Sequence, residues 1–279
     1  MNANNKGFNF DQAVVWITGA SSGIGAALAL EAAQRGARVV LSSRREQALQ
    51  EVKQQCINAG AAEQNLLVLP LDVENYESMP AAVDKVVEQF GRIDLLVNNA
   101  GISQRSSCLE TDLAVYRKLL DVDVLGQIAL TKLVLPIMVK QGSGLLSVTS
   151  SVAGKVGAPM RTGYSAAKHA VMGFFDALRV EVAHLGLKVS TIVPGSVRTA
   201  VAHNAVTGTG ELHAKADPNI EAGMDVNAAA KVIADGFASG VEEIAVGEGP
   251  EMNLLDMKRQ DPTGTFRILE QMHAEQLKA

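Results

Sequence analysis

The chain has 279 residues, of which 47% are hydrophobic and 20% charged, the balance of an ordinary folded domain. That length buries a core without help from disulfides or a structural metal, and it allows one large domain or two small ones. Lysines and arginines number 25 against 30 acids, a formal net charge of −5, which excludes the clustered basic surface that nucleic-acid phosphates require.

Residues 1–9 are polar, with a single lysine and no apolar core, so they do not read as a secretory signal. Residues 13–18 (AVVWIT) run apolar and β-branched into a glycine-rich turn, the pattern of a buried strand. Helical spacing follows over 26–35 and stops at Gly36. A strand at 38–42, a polar-faced helix at 45–59 and a strand at 65–70 come next. A helix over 80–90 ends at Gly91, and residues 94–98 (DLLVN) form another strand. Residues 112–141 predict a long helix or a pair of helices. Their most apolar part, 119–139, is broken by Asp121, Asp123 and Lys132, short of the uninterrupted ~18–20 residues of a membrane span. A strand at 145–149 (LLSVT), a helix at 164–185 stopped by Gly186, and a strand at 187–193 complete the repeat. Residues 198–226, with scattered glycines and Pro218, break the pattern, and loops of that length in compact domains usually serve function. One more short strand and a terminal helix are expected after Gly247.

Strands apolar on both faces that alternate with helices imply a parallel sheet covered on both sides. No linker or internal repeat divides the chain. The expected architecture is one α/β domain over 1–279, a doubly wound, Rossmann-type parallel sheet. Residues 198–226 would form a substrate loop and 247–279 a C-terminal extension. Cys56 and Cys108 form no Cys-x-x-Cys pair, so they read as two reduced thiols. A cytoplasmic protein with neither membrane nor nucleic acid as partner is expected.

Ligands of such sheets bind at the carboxyl ends of the strands. The first strand–helix turn reads Thr18-Gly19-Ala20-Ser21-Ser22-Gly23-Ile24-Gly25. Its glycines permit a tight turn and a close backbone approach to a diphosphate, which the helix N-terminus favours. The same residues contain G-x-S-x-G, the nucleophile elbow of serine hydrolases, with Ser21 as nucleophile. His203, His213 and His273 are available as its base, but elbows usually follow several strands and this one follows the first. Further along, Tyr164 and Lys168 lie one helical turn apart on one face, and Ser151 precedes Tyr164 by thirteen residues. A phenol is a weak acid at neutral pH, and a neighbouring ammonium favours its phenolate. Dinucleotide sites specific for NAD place an acid at the end of the second strand. Here that strand ends in Ser43-Arg44-Arg45, and Arg44 would instead grip a ribose 2′-phosphate, favouring NADP(H).

Together the glycine turn, Asn98-Asn99-Ala100-Gly101, Ser151, Tyr164, Lys168 and Pro194-Gly195 with Thr199 closely resemble the short-chain dehydrogenase/reductase family, over roughly residues 10–250. The resemblance implies an NADP(H)-dependent oxidoreductase interconverting a small-molecule carbonyl compound and an alcohol. By the same resemblance Tyr164 is the acid/base, Ser151 holds the substrate oxygen, and Lys168 favours the phenolate and binds the nicotinamide ribose. Gly19, Ser21, Ser22, Gly23, Ile24 and Gly25 would surround the diphosphate, with Ser43 and Arg44 at the adenosine ribose. Asp72 and Val73 would contact the adenine, Asn98, Ala100 and Gly101 would line the cofactor, and Pro194, Gly195, Val197 and Thr199 would hold the nicotinamide. The family pairs subunits through helices matching 112–141 and 164–185, so a homodimer or homotetramer is implied. One position departs: the family's asparagine within Val-Asn-x-x-Gly is Asp123 here, which accepts hydrogen bonds but, when ionised, donates none. A non-catalytic nucleotide-binding protein on the same fold is the other reading.

Overall fold

Apolar runs without helical period become the strands of a single sheet. The computed structural model describes residues 7–276, so the reading of the N-terminus as no secretory signal rests mainly on residues outside those described. The strands are β1 (Val14–Thr18), β2 (Arg38–Ser42), β3 (Leu66–Val68), β4 (Leu95–Asn98), β5 (Gly144–Thr149), β6 (Leu187–Pro194) and β7 (Glu243–Val246). All pair in parallel, in the order β3-β2-β1-β4-β5-β6-β7. Every residue of β1 and β4 is buried, as parallel strands covered on both faces must be. Strand order reverses at β1, which sits between β2 and β4, and the crevice at that switch point is where such sheets bind ligands.

The helices are α1 (Gly23–Gln34), α2 (Glu46–Asn58), α3 (Met79–Phe90), α4 (Leu113–Leu120), α5 (Gly126–Gln141), α6 (Thr162–Val182), α7 (Pro218–Glu221), α8 (Val226–Ala238), α9 (Asn253–Gln260) and α10 (Pro262–Gln276). Two apolar layers form on the two faces of the sheet. Leu28, Leu49 and Phe237 bring α1, α2 and α8 onto one, and Met79, Leu130 and Phe175 bring α3, α5 and α6 onto the other.

Three expectations change, and the expected long helix or helix pair over 112–141 gains a detail. The last strand precedes Gly247 instead of following it, and its alternating burial marks a half-covered edge strand. Helix α8 went unassigned because it follows the irregular loop directly; the Asp225 side chain starts it by accepting from the backbone N–H groups of Asn227 (2.9 Å) and Ala228 (3.2 Å). The tail forms two helices in place of one. Residues 112–141 form one helical path whose two halves join through a π-helical segment, Asp121–Leu125. By length and composition this path, Leu113–Gln141, passes as a membrane-crossing helix: its most apolar 18-residue window has a mean hydropathy of 1.7 and at most two charged residues. Half of its most apolar window is buried inside this fold, where Leu119, Leu130 and Val134 are core residues.

Candidate active site

Strand β1 delivers the chain into a turn only glycine can make. Gly19 has φ +66°, and a Cβ there would lie 2.9 Å from the Cα of Ala100. Gly25 is buried, and a Cβ on it would fall 2.4 Å from the Gly19 carbonyl oxygen, so it packs the helix onto the turn and does not line the crevice. Ser22, at the N-cap of α1, makes no side-chain cap, and the first turn holds no acid. Backbone N–H groups at that helix start are left for an anion. A cleft of about 1440 Å³ opens from this turn across the strand ends to Tyr164. The catalytic and cofactor-binding residues expected from the family resemblance all line it except Gly25, Asn98 and Asp123.

Ser151 follows β5 in an extended conformation, its Oγ accepting from the Ala153 N–H at 3.1 Å and lying 3.4 Å from the Pro194 carbonyl. Tyr164 sits in the first turn of α6, whose Gly163 and Tyr164 N–H groups both donate to Gln104 Oε1, at 2.8 and 3.4 Å. One turn on, Lys168 Nζ donates to the Thr149 carbonyl at 3.1 Å and lies 5.5 Å from the centre of the Tyr164 ring. The same Nζ is 3.1 Å from Asp123 Oδ2, with side-chain exposures of 4% for the lysine and 0% for the aspartate. Asp123 Oδ1 accepts the Ile102 N–H at 2.8 Å. The π turn that carries Asp123 is a wide-turn geometry found frequently at functional sites.

The electrostatics of this pair follow from its burial. Burial alone would drive the Lys168 ammonium towards its neutral form, but Asp123 and Tyr164 reverse that and hold its pKa above the ordinary lysine value. Burial pushes the Asp123 carboxyl up from the usual carboxylate range, and the Lys168 charge and the Ile102 N–H offset this in part. The site therefore keeps a fixed ammonium beside a phenol at the edge of a cleft.

At the other end of the cleft, β2 ends in Ser43, Arg44 and Arg45. Arg45 donates to Ser21 Oγ (3.1 Å) and Ser22 Oγ (3.2 Å), tying the strand end to the glycine turn. Asp72 Oδ1 accepts the Glu74 N–H at 3.1 Å. No histidine among the described residues hydrogen-bonds Ser21, so the hydrolase reading lacks its nucleophile–base pair. His203 faces Asn204, and His273 Nδ1 is buried without a partner.

A family model described as short chain dehydrogenase matches residues 13–210. The chain belongs to the short-chain dehydrogenase/reductase family. It is 39% identical over 263 residues to Dehydrogenase/reductase SDR family member 7 of Homo sapiens, covering 93% of this chain and 77% of that protein. The Mus musculus protein of the same name is 44% identical over 196 residues, covering 70% of this chain and only 58% of the relative. The fold matches, with a TM-score of 0.81 at 26% identity, the crystal structure of a short-chain dehydrogenase/reductase from Burkholderia phymatum in complex with NAD; the match covers 91% of this chain and 95% of that one.

Within the asparagine motif the structure places Asn98 and Asn99 differently. Asn98, the last residue of β4, is fully buried and its side chain donates to Thr131 Oγ1 (3.0 Å) and the Ser147 carbonyl (3.3 Å), so it does not line the cleft. Asn99 does line the cleft: its Nδ2 donates to the Thr18 carbonyl at 3.1 Å, and its Oδ1 accepts from Thr149 Oγ1 at the same distance. Strand alternation, which turns consecutive side chains to opposite faces, is the signal that separates the two. Sequence reading also passed over Arg105, Arg161 and Asp217, which meet at the substrate end, and Glu251, whose Oε1 accepts the Ser196 N–H at 2.6 Å and folds the tail back over the cleft. Nothing in local spacing marks these, because each contact joins segments far apart in the chain.

Proposed function

We propose that the protein is an NADP(H)-dependent oxidoreductase that interconverts a carbonyl compound and an alcohol, with Tyr164 exchanging the proton. The observation that carries this is the convergence of Ser151, Tyr164 and Lys168 in the cleft that begins at the glycine turn. The uncapped, acid-free start of α1 suits a diphosphate, and this chain's residues fit the cofactor there. Arg44 would take the 2′-phosphate, since β2 ends without a carboxylate and a guanidinium matches phosphate geometry. Asp72 would face the adenine, and Pro194 and Thr199 the nicotinamide. The bound nicotinamide supplies or accepts the hydride.

The protein's own residues manage the oxygen and its proton. Ser151 Oγ, oriented by the Ala153 N–H, donates to the substrate oxygen and holds it beside the tyrosine. Tyr164 gives that oxygen its proton in reduction and removes it in oxidation. Lys168, kept cationic by Asp123, stabilises the phenolate left behind. The test pairs calorimetric titration of NADPH and NADH with NADPH oxidation against ketones, aldehydes and 3-oxoacyl thioesters. Tighter NADPH binding and turnover of a carbonyl are expected. A preference for NADH, or no turnover across the panel, rejects the assignment.

We further propose a homo-oligomer. Leu113, Leu125 and Val180 expose 64%, 47% and 77% of their surface along α4, the π turn and α6, apolar side chains that a second protomer would cover. Light scattering at micromolar concentration should give at least twice the protomer mass; a monomer alone contradicts this.

A further inference from the structure

Two arginines stand at the substrate end of the cleft and share a single counterion. Arg105, after β4, places its Nη2 3.0 Å from Asp217 Oδ2. Arg161, just before α6, places its own Nη2 2.9 Å from the same oxygen. Exposures are 11% for Arg105, 28% for Arg161 and 15% for Asp217, so all three are largely withdrawn from water. Arg105 also donates to Ser103 Oγ (3.1 Å) and the Gln104 carbonyl (3.0 Å). The remaining N–H groups of Arg161 meet no protein acceptor among the described residues. Two positive charges against one negative leave a net positive charge at the cleft, with donors of Arg161 still open to it.

These residues face the same space as Tyr164. Arg161 precedes it by three residues, and Arg105 follows Gln104, which holds the turn carrying Tyr164. Leu212, Ile220, Leu254, Leu269 and Met272 add apolar surface to the cleft wall. Resting on the carbonyl–alcohol reading above, we propose that the substrate is an apolar carbonyl compound bearing a carboxylate, and that Arg105 and Arg161 bind this carboxylate while Tyr164 meets the carbonyl oxygen. Asp217, which lies on the loop covering the site, occupies the arginines when substrate is absent and competes with it. A carboxylate takes two parallel bonds from a guanidinium, so the leftover donors of Arg161 suit it directly.

The experiment compares 3-benzoylpropionate with its methyl ester, two ketones differing in one charge. Their binding to the NADPH-loaded protein is measured by calorimetry, and their kcat/KM by NADPH oxidation. The acid is expected to bind about tenfold or more tighter than the ester, the scale of charge-assisted hydrogen bonds. Arg161→Gln, and independently Arg105→Gln, should bring the acid-to-ester ratio towards one. Asp217→Asn removes the competing carboxylate and should strengthen acid binding severalfold, which a mere loop latch would not do. Equal binding of acid and ester, or weaker acid binding in Asp217→Asn, overturns the proposal. Turnover of both ketones without acid preference overturns the anion site and leaves the carbonyl chemistry standing. Acid-selective, arginine-dependent binding without turnover of either establishes the anion site and removes the carbonyl reading. A phosphonate analogue that binds more tightly than the carboxylate would reject the carboxylate as the anion recognised.

Discussion

Lys168 with Asp123, and Arg105 and Arg161 with Asp217, are two groups of charges serving one cleft, and they are balanced differently. The first is one to one, sealed between α6 and the π turn, with neither side chain more than 4% exposed. The second is two to one, partly open, and its shared acid comes from a loop. The sealed pair holds a charge in place next to Tyr164. An open, unbalanced cluster retains charge for something that arrives. On the function proposed above, the chemistry sits beside the first group and substrate recognition beside the second.

That division is tested most strongly at Tyr164, the group the sealed pair serves. Tyr164→Phe removes one proton-transfer group and little packing, so kcat should fall by about 10²–10⁴-fold while NADPH affinity stays within about twofold. Retention of more than about a tenth of the activity would move the proton to another residue.

Stability separates the two charge groups directly. Lys168→Met strands the fully buried Asp123 carboxylate, and breaking a buried pair costs about 3–5 kcal/mol. Arg161→Gln leaves Asp217 paired with Arg105 at a partly wet site, for a loss of about 1 kcal/mol or less. Urea unfolding of both variants without cofactor reads the difference. Equal losses would mean that the two groups do not differ in kind.

Arg44 and Arg45 extend the unbalanced class to the cofactor end. Arg44→Ala should weaken NADPH by about tenfold or more, as charge-assisted bonds to phosphate predict, and shift NADH by no more than about threefold. Equal weakening of both cofactors in calorimetry would remove the 2′-phosphate from its role.

The sealed group was legible in the sequence and the open one was not. Tyr164 and Lys168 are four apart on a helix, and Asp123 stood out as a departure from a motif, so local spacing and chemistry located them. The sheet was equally readable, because strands buried on both faces leave unmixed apolar runs such as residues 13–18. Arg105, Arg161 and Asp217 meet only because the loop after β6 folds back across the strand ends, a long-range contact with no period to betray it. Asn98 shows the limit at finer grain: it shares its motif with Asn99, and only the pleat of β4 decides which of the two sees the cleft. The two-fold burial of β7 was likewise too brief over four residues to place the strand on the right side of Gly247.

The smallest expected effect lies inside the sealed pair. Asp123 carries a carboxylate where the family has an amide, 3.1 Å from Lys168 Nζ. It raises the pKa of that lysine, and its negative charge also offsets part of the field the ammonium exerts on Tyr164, whose ring centre is 5.5 Å from Nζ. Asp123→Asn keeps the volume and an oxygen for the Ile102 N–H but removes the charge. The ammonium then acts on the phenol unopposed, and the phenolate is favoured. Measured in the alcohol-oxidising direction, the pH–rate profile should move to lower pH, with kcat at neutral pH unchanged or raised. Superimposable profiles would show that the carboxylate does not offset the ammonium. A shift to higher pH would show the opposite dependence: without Asp123, burial strips Lys168 of its charge, and the aspartate is what keeps the site cationic.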